Sequence, residues 1–425
     1  MSRSSARLEP AASAAPATAV DRPGTFRSLS GFNYRTWAVG ALISNVGTWM
    51  QRTAQDWLVL TQLTERNATA VGLVMALQFG PQALLLPLTG WAADRLNRRK
   101  LLFATQAGMG ALALGLGLLT LGGWVELWHV YVFALLLGCV AAFDAPARQT
   151  FVSELVDDRQ LSNAVALNSS SFNAARLVGP ALAGVLIAGL GTGWVFVLNA
   201  VSFAATLSSL ALLRKPELHV RERATARAGL LEGFRYVRRR PDLLAVLGML
   251  FLICTFGLNF PIFISTMAVR VFHASAGTFG ALSSIMAVGS VTGALLSARR
   301  PRPRAELLVA GAFAFGLGCS VAALAPSYAW FAVSLALIGI SAQTFSTTAN
   351  GTLQLGTEPY MRGRVMAIFL AVALGSTPLG APFVGFVADR LGPRFALGVG
   401  ALAGLAAALV GLRFLQARPP RSSRP

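Results

Sequence analysis

The run Gly90-Trp91-Ala92-Ala93-Asp94-Arg95-Leu96-Asn97-Arg98-Arg99-Lys100 closes one long apolar stretch and opens another. An apolar span ends near Ala93, four of the next seven residues are basic, and a new span starts at Leu101. So few residues hold no domain; they make a tight turn at one face of a membrane. Asp94 falls at the C-terminal end of its own helix, where the macrodipole disfavours a negative charge. It is expected to seek an arginine or the N-terminus of another helix. Gly90 lets a neighbouring helix approach closely, as small residues do in membranes. An ordinary short loop with positive-inside charge accounts for the same residues equally well.

Working outward, the 425 residues are 55% hydrophobic and only 12% charged, with a mean hydropathy of +0.60. A soluble domain carries about 25% charged residues. The fold class expected is all-α: a polytopic membrane protein of twelve helices. The net charge of +19 does not signal nucleic acid, because the arginines sit between apolar spans and form no basic face. Cys139, Cys254 and Cys319 all fall inside spans, an odd buried set without metal spacing. His129, His219 and His273 make no cluster, so no metal is expected.

Residues 1–30 read as a disordered cytoplasmic tail, rich in Ser, Ala, Pro and Arg. The spans follow near 35–61, 70–93, 101–122, 126–144, 164–190, 193–213, 243–269, 276–298, 306–325, 328–350, 365–388 and 394–413. With both termini in the cytoplasm, 30 of the 36 Lys and Arg residues fall on the cytoplasmic side. Loop Lys and Arg bias sets orientation. The cell inner membrane is the expected location. The exception is the turn with Asp389, Arg390 and Arg394, which lands outside. The longest internal loop, 214–240, is basic and is expected to lie on the anionic inner leaflet. It divides a bundle over 31–213 from one over 241–413, with a cytoplasmic tail at 414–425.

The halves repeat. Gly179 and Gly184 of the fifth span match Gly380 and Gly385 of the eleventh at an offset of 201, with Pro180 and Pro382 beside them as kinks. Gly90 finds Gly293, but Ser297 stands where the first copy has Asp94. Two parallel six-helix halves place a substrate site near the midplane between them.

Few ionisable residues enter the spans, and each is a default functional candidate. Asn45, Thr48, Arg52 and Asp56 share one stripe of the first span. Arg52 and Asp56 are four apart and able to pair. They line a water-filled path with Asp56 as the proton-responsive group, or form a structural pair near the outer interface. Arg176, before the Gly179-Pro180 kink, anchors an anion, balances Asp56, or bonds helix carbonyls. Gln78, Asn173, Asn259 and Gln343 complete the expected cavity lining. Asp144 and Arg148 start the loop after the fourth span; Arg148 or Arg364 is an expected partner for Asp94 across the halves. Trp49, Trp57, Trp124, Trp128, Trp194 and Trp330 read as interfacial anchors. No Gly-x-x-x-x-Gly-Lys-Ser/Thr is present, so no ATP hydrolysis by this chain is expected, and no enzyme-like set of groups converges.

The order Gly-x-x-x-Asp-Arg-x-x-Arg-Arg resembles the loop between the second and third helices of the major facilitator superfamily. Asn97 stands where that family has glycine, and Asn tolerates the left-handed backbone. The resemblance implies that Asp94 helps to lock the cytoplasmic side, with Arg95 and Arg98 as partners. Asp144-Ala145-Pro146-Ala147-Arg148, Asn173 through Pro180, Gly233-Phe234-Arg235-Tyr236-Val237 and Arg362-Gly363-Arg364-Val365-Met366-Ala367 resemble the bacterial branch of enterobactin and other siderophore exporters. That branch implies export of a bulky amphipathic small molecule against protons. A monomer in the lipid bilayer, without a cofactor, is expected. An importer, an uncoupled facilitator and a non-transporting receptor are the rivals.

Overall fold

The computed structural model describes residues 26–85, 88–89, 92, 95–219, 230–298 and 304–416. Gly90 and Asp94 lie outside the described residues, as do the tail residues 1–25 and 417–425. The described part of the expected tail is not wholly irregular. Arg27–Ser30 form a 3-10 turn, and buried Ser28 donates from its backbone N–H to Asn163 Oδ1 at 3.0 Å.

The N-terminal bundle holds α1 (Phe32–Leu58), α2 (Ala68–Leu84), α3 (Arg98–Leu121), α4 (Leu127–Phe151), α5 (Asp158–Leu190) and α6 (Thr192–Leu212). A short linker helix, α7 (Leu230–Arg238), precedes the second bundle. There the first crossing is broken: α8 (Pro241–Leu252), a π turn, α9 (Phe260–Thr266), then a second π turn. It is followed by α10 (Ala276–Ala298), α11 (Ala305–Ala323) and α12 (Tyr328–Gly356). The next crossing is split into α13 (Arg362–Gly375) and α14 (Thr377–Arg390), and α15 (Pro393–Gln416) is last. Ten of the twelve crossings are long and apolar enough to span a membrane by length and composition. The others are α1, interrupted by Gln51, Arg52, Gln55 and Asp56, and the short α2.

Polar side chains start the helices. Asn97 accepts from the backbone of Lys100 at 3.1 Å, Asp157 from Gln160 at 3.0 Å and Asn67 from Ala70 at 2.9 Å. Asn97 sits at φ −67°, so it serves as a helix cap and not as the left-handed turn residue expected. Helices also run past the apolar stretches: α4 reaches Phe151, α5 starts at Asp158 and α12 ends at Gly356. Asp144 and Arg148 therefore lie on a helix and not in a loop. Hydropathy marks where lipid ends, and a hydrogen-bonded helix continues into water without penalty.

The duplication is visible in contacts. A π turn, Val59–Leu63, ends the first crossing, and its counterpart Met267–Val271 lies 208 residues on. A Cβ on Gly385 would fall 2.5 Å from the Ala68 carbonyl oxygen; one on Gly184 would fall 2.7 Å from that of Ala276. Gly72 meets Ala381 and Gly280 meets Pro180 in the same way, at 2.4 and 2.3 Å. The seam between bundles is thus α2 on α14 and α5 on α10, each pair crossing on bare backbone. This crossing is also interrupted, away from the Pro382 position. α14 runs through Pro382, and the interruption is at Ser376, just ahead of Pro378. Proline at the second position of a helix needs no donor, so the chain restarts there.

Candidate functional site

α1 carries the site. Trp49, Arg52 and Asp56 project from it on successive turns. The Arg52 guanidinium lies 5.0 Å from the Trp49 ring centre and 5.3 Å from that of Phe79 on α2. The Arg176 guanidinium, from α5, lies 5.8 Å from the same Trp49 ring. One indole thus carries two guanidinium groups, an arrangement its negative ring faces favour. Gly179 makes it possible, because a Cβ there would fall 2.5 Å from Trp49 Cβ. Trp49 is therefore an interior residue and not the membrane-interface anchor expected. Trp57 is likewise interior, stacked on Phe279 of α10 at 5.6 Å across the seam. Trp124, Trp128, Trp194 and Trp330 are exposed, as interfacial residues are.

Arg52 and Asp56 feel each other's charge but form no ion pair within 4.0 Å. The Asp56 carboxylate makes no hydrogen bond among the described residues. Arg52 Nε and Gln55 Nε2 are buried donors without a partner. The Arg52 donor, beside Trp49 and Phe79, is what a polar ligand would complete, and Gln55 offers a second unfilled donor within one turn of the same helix. Gln55 was not singled out from sequence; its signal is only that it lies three residues after Arg52. A π turn follows Asp56 by three residues, and such turns concentrate at functional sites. At the offset of 208, Arg52 and Asp56 correspond to Phe260 and Ile264; at 201, Arg176 corresponds to Thr377. The ionisable set belongs to the N-terminal bundle alone.

The other expected lining residues have local partners. Asn173 Nδ2 donates to the Ser169 carbonyl at 2.9 Å and is exposed. Gln343 Nε2 donates to Thr347 Oγ1 at 3.2 Å. Asn259, fully buried, donates to the Thr255 carbonyl at 2.7 Å and fastens the break after α8. Gln78 is buried in α2, where its carbonyl faces Gly138 of α4.

Asn45 is placed elsewhere, in a buried network with the gate candidates. Asp144 accepts from Thr105 Oγ1 at 2.8 Å, Gln106 Nε2 at 2.7 Å and Arg148 Nε at 3.1 Å. Arg148 Nη1 also donates to Asn45 Oδ1 at 2.9 Å. Arg98 pairs with Glu154 at 2.6 Å. Arg148 and Arg98 thus serve their own bundle, and neither crosses to the other half. Arg95 is exposed at the start of the described turn. Arg364 pairs with Glu232 of the linker helix at 2.9 Å, and Gly233 packs on its Cβ at 3.0 Å. The linker helix is therefore docked on the start of α13. Asp144→Ala is expected to cost ~3–5 kcal/mol, because Arg148 would be left buried without its counter-charge. The apparent Tm of purified protein reads this, and an unchanged Tm would show the network to be dispensable.

Twelve crossings in two halves related by a repeat, with a polar cluster inside, define a membrane carrier. The chain belongs to the transmembrane secretion effector family of the major facilitator superfamily, which it matches over residues 24–421. It is a transporter and not an enzyme. It is 25% identical to the staphyloferrin A transporter of Staphylococcus aureus, over 82% of this chain and 87% of that protein. It is 28% identical to the multidrug efflux pump Tap of Mycolicibacterium fortuitum, over 83% and 88%. The macrolide efflux protein A of Streptococcus pyogenes is 23% identical over 79% and 85%. Among solved structures, a bacterial homologue of the lysosomal transporter Spinster, inward-facing and unoccupied, superposes with a TM-score of 0.73 at 16% identity, covering 94% of this chain and 100% of that one. The nucleoside transporter NupG gives 0.70 at 13% identity, covering 91% and 100%.

Proposed function

We propose that the protein exports a bulky amphipathic small molecule, siderophore-like or drug-like, in exchange for protons, by alternating access. The observation that carries this reading is the Arg52, Asp56 and Arg176 group around Trp49, with unfilled donors on Arg52 and Gln55. Trp49 and Phe79 take the apolar body of the substrate. Arg176 takes its acceptor or anionic end. Asp56 takes a donor from the substrate in one half of the cycle and a proton in the other. Efflux is supported by the names of the relatives, two of which are efflux proteins. The basic linker and tails support a cytoplasmic placement of both termini in the inner membrane, and the protein acts as a monomer without a cofactor. The proton gradient, and not ATP, supplies the energy.

Substrate flux in proteoliposomes tests the reading. Flux that collapses with the pH gradient supports exchange; flux indifferent to it removes the proton from the mechanism. Arg176→Ala is expected to weaken transport of anionic substrates about tenfold and of neutral ones far less, as loss of a charge-assisted hydrogen bond implies. An equal effect on both classes would remove Arg176 from substrate recognition.

A further inference from the structure

α14 ends in Gly385-Phe386-Val387-Ala388-Asp389-Arg390-Leu391. The order Gly-x-x-Ala-Asp-Arg-Leu is that of Gly90 through Leu96. By the repeat, a second copy of that turn belongs at Gly293, but this one falls at the opposite end of the molecule from the linker. Gly385 brings α14 onto the first residues of α2, in the other bundle. There Asp389 caps α2: Oδ1 accepts from the Ala68 N–H at 2.8 Å, and Oδ2 from the Thr69 N–H at 2.7 Å and Thr69 Oγ1 at 2.5 Å. Arg270 pairs with Asp389 at 2.6 Å and donates to the carbonyls of Ala388, at 2.8 Å, and of Arg66. Arg66 belongs to the N-terminal bundle, so this arginine also crosses the seam.

The chemistry explains the placement. A carboxylate at the last turn of its own helix faces the negative end of that macrodipole, and the positive end of α2 offsets this. Asp389 also takes three donors and a guanidinium, so its charge is matched on every side described. Among the described residues, the other hydrogen bond seen across the seam is Ser284 Oγ to the Leu177 carbonyl at 2.7 Å, partway along α10 and α5. Arg66 and His273 are the only non-glycine residues described with left-handed φ, at 62° and 49°, and both flank this cluster. Such backbone persists only where surrounding contacts hold it.

We propose that Asp389 is the pin of an outer gate. Seated on α2, with Arg270 behind it, it keeps the far end shut; its withdrawal lets that end open. This rests on the carrier reading above and adds to it the group that must let go. Because α14 meets α2 backbone on backbone at Gly385, the ties break together when the halves tilt.

The test uses the full chain in lipid nanodiscs, with the three native cysteines replaced and spin labels at positions 124 and 324. Both are exposed residues at the far end, one in each bundle. Asp389→Asn keeps the size and one acceptor but removes the charge. It is expected to raise the long-distance, open population about tenfold, the effect of one net charge-assisted hydrogen bond. Thr69→Val removes a single donor and should raise it by a smaller factor; it decides the matter if the Asn variant does not fold. Unchanged distance distributions in these folded variants overturn the pin. No substrate is needed for this measurement. A shifted distribution in a protein without flux would leave the gate standing and the export reading fallen; normal flux with unshifted distances would do the reverse.

Discussion

Asp56→Asn protein in proteoliposomes is expected to lose substrate accumulation driven by a pH gradient while keeping downhill movement of the same substrate. A difference of one pH unit is worth about 1.4 kcal/mol per proton, enough for about a tenfold substrate gradient. Without the acid that ratio falls to unity. Among the described residues, two acids lie well inside helices of the N-terminal bundle, Asp56 and Asp144. Asp144 already accepts from Thr105, Gln106 and Arg148, so its oxygens are committed to its own bundle. The Asp56 carboxylate has no hydrogen bond among the described residues and only the through-space charge of Arg52. In the exchange proposed above it is the group that trades a substrate donor for a proton, and the sign of coupling follows: proton and substrate exclude each other at one carboxylate. Asparagine holds the site in its neutral form permanently. Asp56→Glu restores a titratable group and should recover part of the gradient-driven flux. Undiminished accumulation by the Asn variant would move the proton to another residue.

The division into two six-helix halves was legible because lipid leaves a chain few choices, and long apolar runs declare themselves. The offset of 201 between Gly179 and Gly380 was legible too, and the paired crossings of Gly184 with Ala276 and Gly385 with Ala68 carry the same symmetry. Arg52, Asp56 and Arg176 stood out because charge inside an apolar run is rare. The role of Trp49 was not legible. A tryptophan near a polar stripe looks like an interface anchor until Gly179 brings α5 against it. Partners across the chain were read poorly for the same reason. Arg148 has an aspartate four residues away on its own helix, and local geometry satisfied it before any distant one. Asp389 was noticed only as an exception to the charge bias. What made it fit was the start of α2, more than three hundred residues earlier, which no local pattern reveals.

Gly380→Ala is expected to prevent recovery of folded, monodisperse protein. An added Cβ would stand 1.5 Å from the carbonyl oxygen of Thr255. That oxygen lies on a π turn and already accepts the Asn259 side chain, so it has no room to swing aside. Relief requires α14 to retreat from the broken crossing by roughly the difference from an ordinary contact. Ordinary overpacking costs about 1–3 kcal/mol, where flexible side chains absorb the strain; here backbone meets backbone and the cost is greater. The retreat would also lift Gly385 from Ala68 and Asp389 from the α2 N-terminus, since all three sit on one short helix. Gly248→Ala is the matched control. It lies within α8 with nothing inside 4 Å of its added Cβ, so it should gain about 0.5–1 kcal/mol from reduced backbone freedom. Size-exclusion profiles and thermal melts of the two variants, side by side, separate crowding from a general effect of losing glycine. A Gly380→Ala protein melting with the parent would mean that α14 and the broken crossing do not touch as described.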